Sequence, residues 1–352
     1  MAYAVSDTIT TSEYNGLLTN TTSSGTPPAF GINHIFGTGI LEYGLGQTEL
    51  SSVAVADTIQ AAQWNSLFTS MNNVALHAGV TLTSTTAKSA GDTIQIISAL
   101  TTDLNTLAAA VASGCESAAN GGPAGATGTA NLTTSAALLT TASSAAAGTP
   151  ARWNDSHAVE HVFTFASANA ARHYFNAGGK LQINVTRTAG GSSTASTTSK
   201  DSSVDELIVG LGDFQLGAQI STENGSGETQ TGDLTIGFYN LTTGYQTICI
   251  ITQNSGSYSG YMNIKIEAKA DATVSGGTAT VVTIKTTIAD PALGDSTHDD
   301  EWTAGNTNSV DRYANFIGVT NVICKTVTPT TTNLSTAIAA PSATLGSNTV
   351  VV

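Results

Sequence analysis

At 352 residues, with 40% hydrophobic content, the chain is long enough for two or three domains and carries enough apolar surface to build cores. Charged residues make up only 10%, and 11 Lys and Arg are scattered singly against 25 Asp and Glu, a formal net charge of −14. Nucleic-acid binding needs clustered basic side chains to displace counterions, so nucleic acid is excluded as a direct ligand. Seven prolines and 35 glycines without a collagen period argue for an ordered chain rich in Thr and Val.

The first residues, MAYAVSDTIT, lack a basic region followed by an apolar core. We therefore expect no signal peptide and cytoplasmic synthesis. The chain has no apolar run of about 18 residues, so no membrane span is expected.

A repeat follows. SDTITTSEYNGLLTNTTS at 6–23 matches ADTIQAAQWNSLFTSMNN at 56–73: Asp-Thr-Ile, four residues, an aromatic, Asn, then leucine. GDTIQIISALTTDLNTLAAAV at 91–111 is a looser third copy. In each, the β-branched Thr-Ile pair favours extended chain and a Thr or Gln leads into a helix. Trp64, Leu67, Phe68, Met71 and Ala75 share one helical face, as do Leu100, Leu104, Leu107 and Val111. Three amphipathic helices packed together account for these residues, Trp64 and Asn65 included. GTGILEYGLG between the first two copies has the wrong spacing for a dinucleotide fingerprint, and no helix start follows it.

Cys115, Cys249 and Cys324 lie too far apart for a paired metal or redox motif; Cys249 and Cys324, within strand-like runs, read as small buried hydrophobes, and Cys115 lies in a Gly/Ala/Ser stretch. Residues 113–150 are low in complexity, punctuated by Gly-Gly-Pro-Ala-Gly, and we place a linker there, with a short helix expected in NLTTSAALLTTASSAAA.

The densest stretch comes next. Val159, His161, Phe163 and Phe165 alternate on one strand face. Ser167 suits a helix cap, ANAARHYF makes two turns, and Gly178-Gly179 permits a left-handed exit into the alternating strand KLQINVT. His161 and His173 lack a second ligand at helical spacing, and Arg172-His173-Tyr174 reads as part of a fold-defining turn, with Arg172 expected to pair with an acidic neighbour. DLTIGFYNLT, YQTICIITQ, YMNIKIEAKA and ATVVTIKTTIA alternate apolar with polar residues and predict further strands; DELIVGLGDFQLGAQI reads as either one helical turn or an edge segment. The loop DSTHDDEW offers Asp295, Asp299 and Asp300 as weak candidates for a structural cation, yet it lacks the glycine and spacing of a calcium loop. No Gly-x-Ser-x-Gly elbow appears.

The run WNDSHAVEHVFTFASANAARHYFNAGGKLQINVTRTAGG resembles a segment common in virion structural proteins of tailed bacteriophages, notably those of cyanobacterial and marine phages. The shared pattern is carried here by Trp153, Asn154, Phe163, Phe165, Ala171, Arg172, Phe175, Asn176, Ala177, Gly178 and Gly179, and His173 stands where that family usually has an aromatic. The Asp-Thr-Ile…Trp-Asn repeats resemble a second element of the same proteins. The resemblance implies a virion location, other virion proteins as partners, and no choice among tail, fibre, neck and head decoration.

The fold class expected is mainly β: an antiparallel β-sandwich or jelly-roll-like domain with one short helix, preceded by short amphipathic helices. The divisions are a helical repeat and attachment region at 1–112, a linker at 113–150, a β-rich domain at 151–330 and an extended arm at 331–352, suited to lying on a neighbour. Three function classes follow. The first is a structural virion component that self-assembles, with a trimer as first expectation. The second is a module that binds host-surface polysaccharide through aromatics such as Tyr258, Tyr261 or Trp302. The third is a depolymerising enzyme, for which the carboxylates are too sparse. We expect the structural class, with no catalytic activity and no cofactor.

Overall fold

The computed structural model describes residues 9–19, 30–83, 86–89, 92, 97–115, 132–143, 155–188, 198–255, 259–289 and 317–351. The chain opens with four helices: α1 (Thr11–Thr19), α2 (Ile32–Phe36), α3 (Ala61–Ala78) and α4 (Ile97–Ala112). The first two repeat copies start their helices by the same device. Thr10 and Glu13 exchange backbone and side-chain bonds at the head of α1, and Gln60 and Gln63 form the equivalent capping box on α3. The apolar faces expected from spacing are buried: Trp64, Leu67, Phe68, Met71 and Ala75 on α3, and Leu100, Leu104, Leu107 and Val111 on α4. The Trp64 indole meets Tyr14 of α1 edge to face at 5.3 Å.

The rest is a sandwich-like pair of antiparallel six-stranded sheets, so the fold is mainly β with few helices. The strands are β1 (Leu132–Thr134), β2 (Leu139–Ala142), β3 (Ser156–Thr164), β4 (Lys180–Arg187), β5 (Phe214–Leu216), β6 (Ser221–Thr222), β7 (Thr229–Thr231), β8 (Gln246–Thr252), β9 (Asn263–Ala270), β10 (Val281–Ala289), β11 (Thr320–Pro329) and β12 (Ser342–Val351). One sheet runs β1-β11-β4-β5-β6, with β2 also paired to β11; the other runs β12-β3-β10-β9-β8-β7. Helix α5 (Ala168–Asn176) joins β3 to β4, and α6 (Thr198–Leu211) joins β4 to β5.

Strand β3 alternates half-buried and buried residues, and its inner face is His157, Val159, His161 and Phe163. Leu181, Ile183 and Val185 of β4, Ile264 and Ile266 of β9 and Ile284 and Ile288 of β10 complete the same core. Helix α6 touches β4 of one sheet and β8 and β9 of the other, so it fills the space between the sheets on that side. On the opposite side the sheets meet directly, β2 against β12 and β11 against β3.

Several expectations need correcting. The stretch 113–150 contributes two strands: β1 and β2 both pair with β11, and neither is helical. Short Leu-Thr-Thr runs of small residues carry no period of their own, and the waiting edge of β11 decides their conformation. The tail at 331–352 is laid on its own chain, since β12 pairs along β3 from Ser342↔Thr164 to Val351↔Ser156. The sandwich therefore draws on strands on both sides of 151–330. It also holds two helices, because DELIVGL ends α6. DLTIGFYNLT is no strand; it turns through a 3-10 segment at Phe238–Asn240 that buries Phe238 and Leu241 from irregular backbone.

Candidate functional site

Helix α5 and its glycine exit carry a dense set of polar contacts. Ser167 caps the helix, its Oγ accepting from the Ala170 N–H at 3.1 Å. At the other end the Gly179 N–H donates to the Tyr174 carbonyl at 2.8 Å and the Gly178 N–H to the Phe175 carbonyl at 3.0 Å, with Gly178 at φ +91°. This is a Schellman closure, which requires the left-handed conformation at Gly178. Gly179 is needed for a different reason: a Cβ there lies 2.6 Å from the Tyr174 carbonyl oxygen.

The side chains of α5 hold down a turn from the helical region. Arg172, buried to 8% exposure, donates through one terminal nitrogen toward the carbonyls of Thr38 at 2.8 Å and Gly39 at 3.0 Å. His173 Nε2 donates to the same Thr38 carbonyl at 2.9 Å, and Asn176 Nδ2 donates to the Gly44 carbonyl at 2.9 Å. The hydroxyl of Tyr239 lies 2.9 Å from the Leu41 carbonyl and also reaches Asn176 Oδ1. Within this turn Leu41 is held at φ +51°, an uncommon conformation for a branched side chain. Arg172 thus pairs with backbone carbonyls and not with the acidic neighbour expected for it. Burial lowers the pKa of His173 and of Arg172, and raises that of Tyr239.

On the inner side, the Tyr174 hydroxyl lies 2.7 Å from the Lys180 carbonyl and 2.8 Å from that of Val327, joining α5 to β4 and β11. Phe175 stacks on Phe238 at 4.1 Å, and Phe165 packs against both Tyr174 and Phe175. His77, fully buried at the end of α3, bonds through Nε2 to the Ala177 carbonyl at 2.8 Å. Arg172, Phe175, Asn176, Gly178 and Gly179 are therefore brought together, and Trp64 lies in the core of the helical region that they secure.

Asn65 stands apart from this group and does other work. Its Nδ2 donates to the Lys88 carbonyl and its Oδ1 accepts from the Lys88 N–H, at 2.9 and 2.8 Å. Asn15 grips Val53 in the same two-bond manner, and Asn33 grips Leu50. In the third repeat copy, the Asp103 carboxylate accepts from the N–H and hydroxyl of Thr83. The aromatic-Asn pair of the repeat was the clue to this clamp, because Asn15 and Asn65 occupy the same place in it.

Trp153, Asn154, Asp295, Asp299, Asp300, Tyr258 and Trp302 lie outside the described residues, and Tyr261 is half-buried. Among the described residues there is no group of three or more His, Cys, Asp or Glu able to hold a metal ion. No helix among them is long and apolar enough to cross a membrane. Cys115, Cys249 and Cys324 are buried and form no disulfide, and burial pushes Cys249 up to about 12 and Cys324 up to about 11, far from a reactive thiolate. No family model matches the chain, and no curated protein or solved structure matches it either.

Proposed function

We propose that the chain is a structural component of a phage virion, in the tail, fibre or neck, and that it acts by self-assembly and subunit contacts without catalysis. One observation carries the reading: the polar side chains of the segment that resembles virion proteins are committed to holding the chain together. Arg172, His173 and Asn176 bond backbone carbonyls of the 38–44 turn, and Tyr174 bonds the sheet behind them. A catalytic cluster leaves a nucleophile or a base free to meet a substrate; these groups are occupied by backbone. Large apolar side chains left exposed on the helical region, Val55 at 90%, Leu76 at 61% and Ile40 at 56%, supply surface for contacts between copies. The net charge of −14 keeps free subunits apart before assembly.

The test is a reconstruction of particles purified from lysates of cells that carry this sequence, with light scattering of the purified chain alongside. The expected result is density for the chain in the tail, fibre or neck, and a homo-oligomer in solution, a trimer first. A stable monomer that cleaves host polysaccharide and is absent from particles would overturn the reading.

A further inference from the structure

His157 and His161 sit on the inner face of β3, both fully buried, on the side where the two sheets meet directly. Each reaches across to other strands. His157 Nδ1 lies 2.7 Å from the Thr320 hydroxyl of β11, and its Nε2 lies 3.1 Å from Asn348 Oδ1 of β12. His161 Nε2 lies 3.2 Å from the Thr141 hydroxyl of β2. Asn348 closes the ring by donating through Nδ2 to the Ala142 carbonyl at the end of β2, at 2.9 Å. The two imidazoles thus hold three strands, two of which, β2 and β12, join the sandwich from opposite sides of 151–330.

The partners fix the protonation. A carboxamide oxygen only accepts, so His157 carries its proton on Nε2 and accepts from Thr320 on Nδ1. His161 Nδ1 is buried and has no hydrogen-bond partner among the described residues. A second proton there places a charged N–H in the core with no acceptor, at the cost of its full desolvation. Among the described residues the surrounding strands bring no compensating charge to this face. Strands β2 and β12 carry no ionisable side chain. On β11, Lys325 is on the outer side of the strand and Cys324 is a buried neutral thiol. On β10, Lys285 stands opposite Glu160, on the outer face of β3, where the Tyr245 hydroxyl bonds the Glu160 carboxylate. Asp155 is the carboxylate just before β3. Burial holds both histidines down at about 4; the charge of His157 lowers His161 further, while the bond to Asn348 offsets part of the burial effect on His157.

We propose that His157 and His161 form an acid-operated latch, which clamps β12 and β2 to the body of the sandwich at neutral pH and releases β12 when the imidazoles take up protons. β12 is the element that yields because, among the described strands, it is an edge, paired only to β3 and largely exposed on its other side. Protons bind the opened form at the ordinary histidine value and the closed form only near 4, so acid favours opening.

Hydrogen exchange of the full chain, read by mass spectrometry at pH 7.5 and 5.0 and corrected for intrinsic exchange, tests the latch. Opening of β12 should rise about 25-fold for each imidazole that the opening exposes, while β9, in the middle of the same sheet, keeps its protection. The double variant His157→Gln, His161→Gln keeps polar side chains that do not titrate, and should hold the protection of β12 constant between the two pH values. Loss of protection in β9 and β12 together, or no change in β12, would overturn the proposal. Should the double variant not fold, the histidine ring protons of the native chain give the answer by NMR. Titration of His157 and His161 well below 6.5, together with a shift of the β12 amides, supports the latch; titration at about 6.5 with β12 unmoved overturns it.

Discussion

Asn65 meets Lys88 with both ends of its carboxamide, donating to the carbonyl at 2.9 Å and accepting from the N–H at 2.8 Å, so that one side chain replaces a missing partner strand. Each such bond contributes about 1 kcal/mol net. Asn65→Ala should destabilise the chain by about 2 kcal/mol in a denaturant titration, and Asn65→Asp, which keeps the acceptor, by roughly half of that. Equal losses for the two variants would mean that the donor alone matters.

Trp64 is 2% exposed and touches Tyr14 and Phe68. Trp64→Ala should cost about 3–5 kcal/mol, measured by equilibrium unfolding of the full chain, because the cavity cannot collapse against two other rings. A loss below 1 kcal/mol would place the indole in solvent.

The two glycines after α5 should respond differently. Gly178→Ala sets its Cβ 3.3 Å from the Gly114 carbonyl oxygen, a tight contact that a small shift relieves, and meets the cost of the left-handed conformation, about 1–2 kcal/mol. Gly179→Ala forces its Cβ against the Tyr174 carbonyl and ring and should cost more. The ranking, read from thermal unfolding midpoints, is the prediction.

Arg172 joins the 38–44 turn to α5 by charge-assisted bonds to two carbonyls. Arg172→Met keeps much of the apolar stem and removes those donors. Proteolytic cleavage within 38–44 should then accelerate several-fold, with cleavage in β9 unchanged.

Stability should fall as acid is added, in two stages. His34, His77, His157, His161 and His173 are all held below the ordinary histidine value, first by burial, so the unfolded chain binds more protons than the folded one. Their contribution is complete above about 6.5 and is lost as the pH falls toward 4, at about 3 kcal/mol for each of His157 and His161. Glu160, kept below its usual value chiefly by the Tyr245 hydroxyl, adds a loss at lower pH. Melting temperature against pH should therefore decline already between 6.5 and 5, where a chain stabilised only by carboxylates stays level.

The helical faces around Trp64 and Leu104, the Ser167 cap and the Gly-Gly exit were legible because each is a local pattern whose period or turn chemistry names its structure. The same holds for the alternation in β3, β4, β9 and β10. What stayed hidden depends on distant partners. Leu132 and Leu139 lie in Thr-rich runs that become strands only beside β11, and Gly346 sits at the register shift that disguises β12. Phe238 alternates with Ile236 as a strand residue would, yet its ring is claimed by Phe175. The clamps are half-legible: a repeated Asn is visible, while its grip on Lys88 or Val53 is known only once the helix has been placed.

The sheet order also constrains how the protein is made. Among the described residues β1 and β2 pair only with β11, and β3 waits for β12, the last of the described strands. At ribosomal speeds of about 5–20 residues per second, β2 spends roughly 10–35 seconds outside the exit tunnel before its partner is translated. Until β12 is made, β3 shows an unpaired edge, and nascent chains on one polysome lie close enough to trade strands. The two sheets are complete only once β11 and β12 have left the tunnel, so the yield of native chain depends on what shields the emerging half, and slowing translation should lower it.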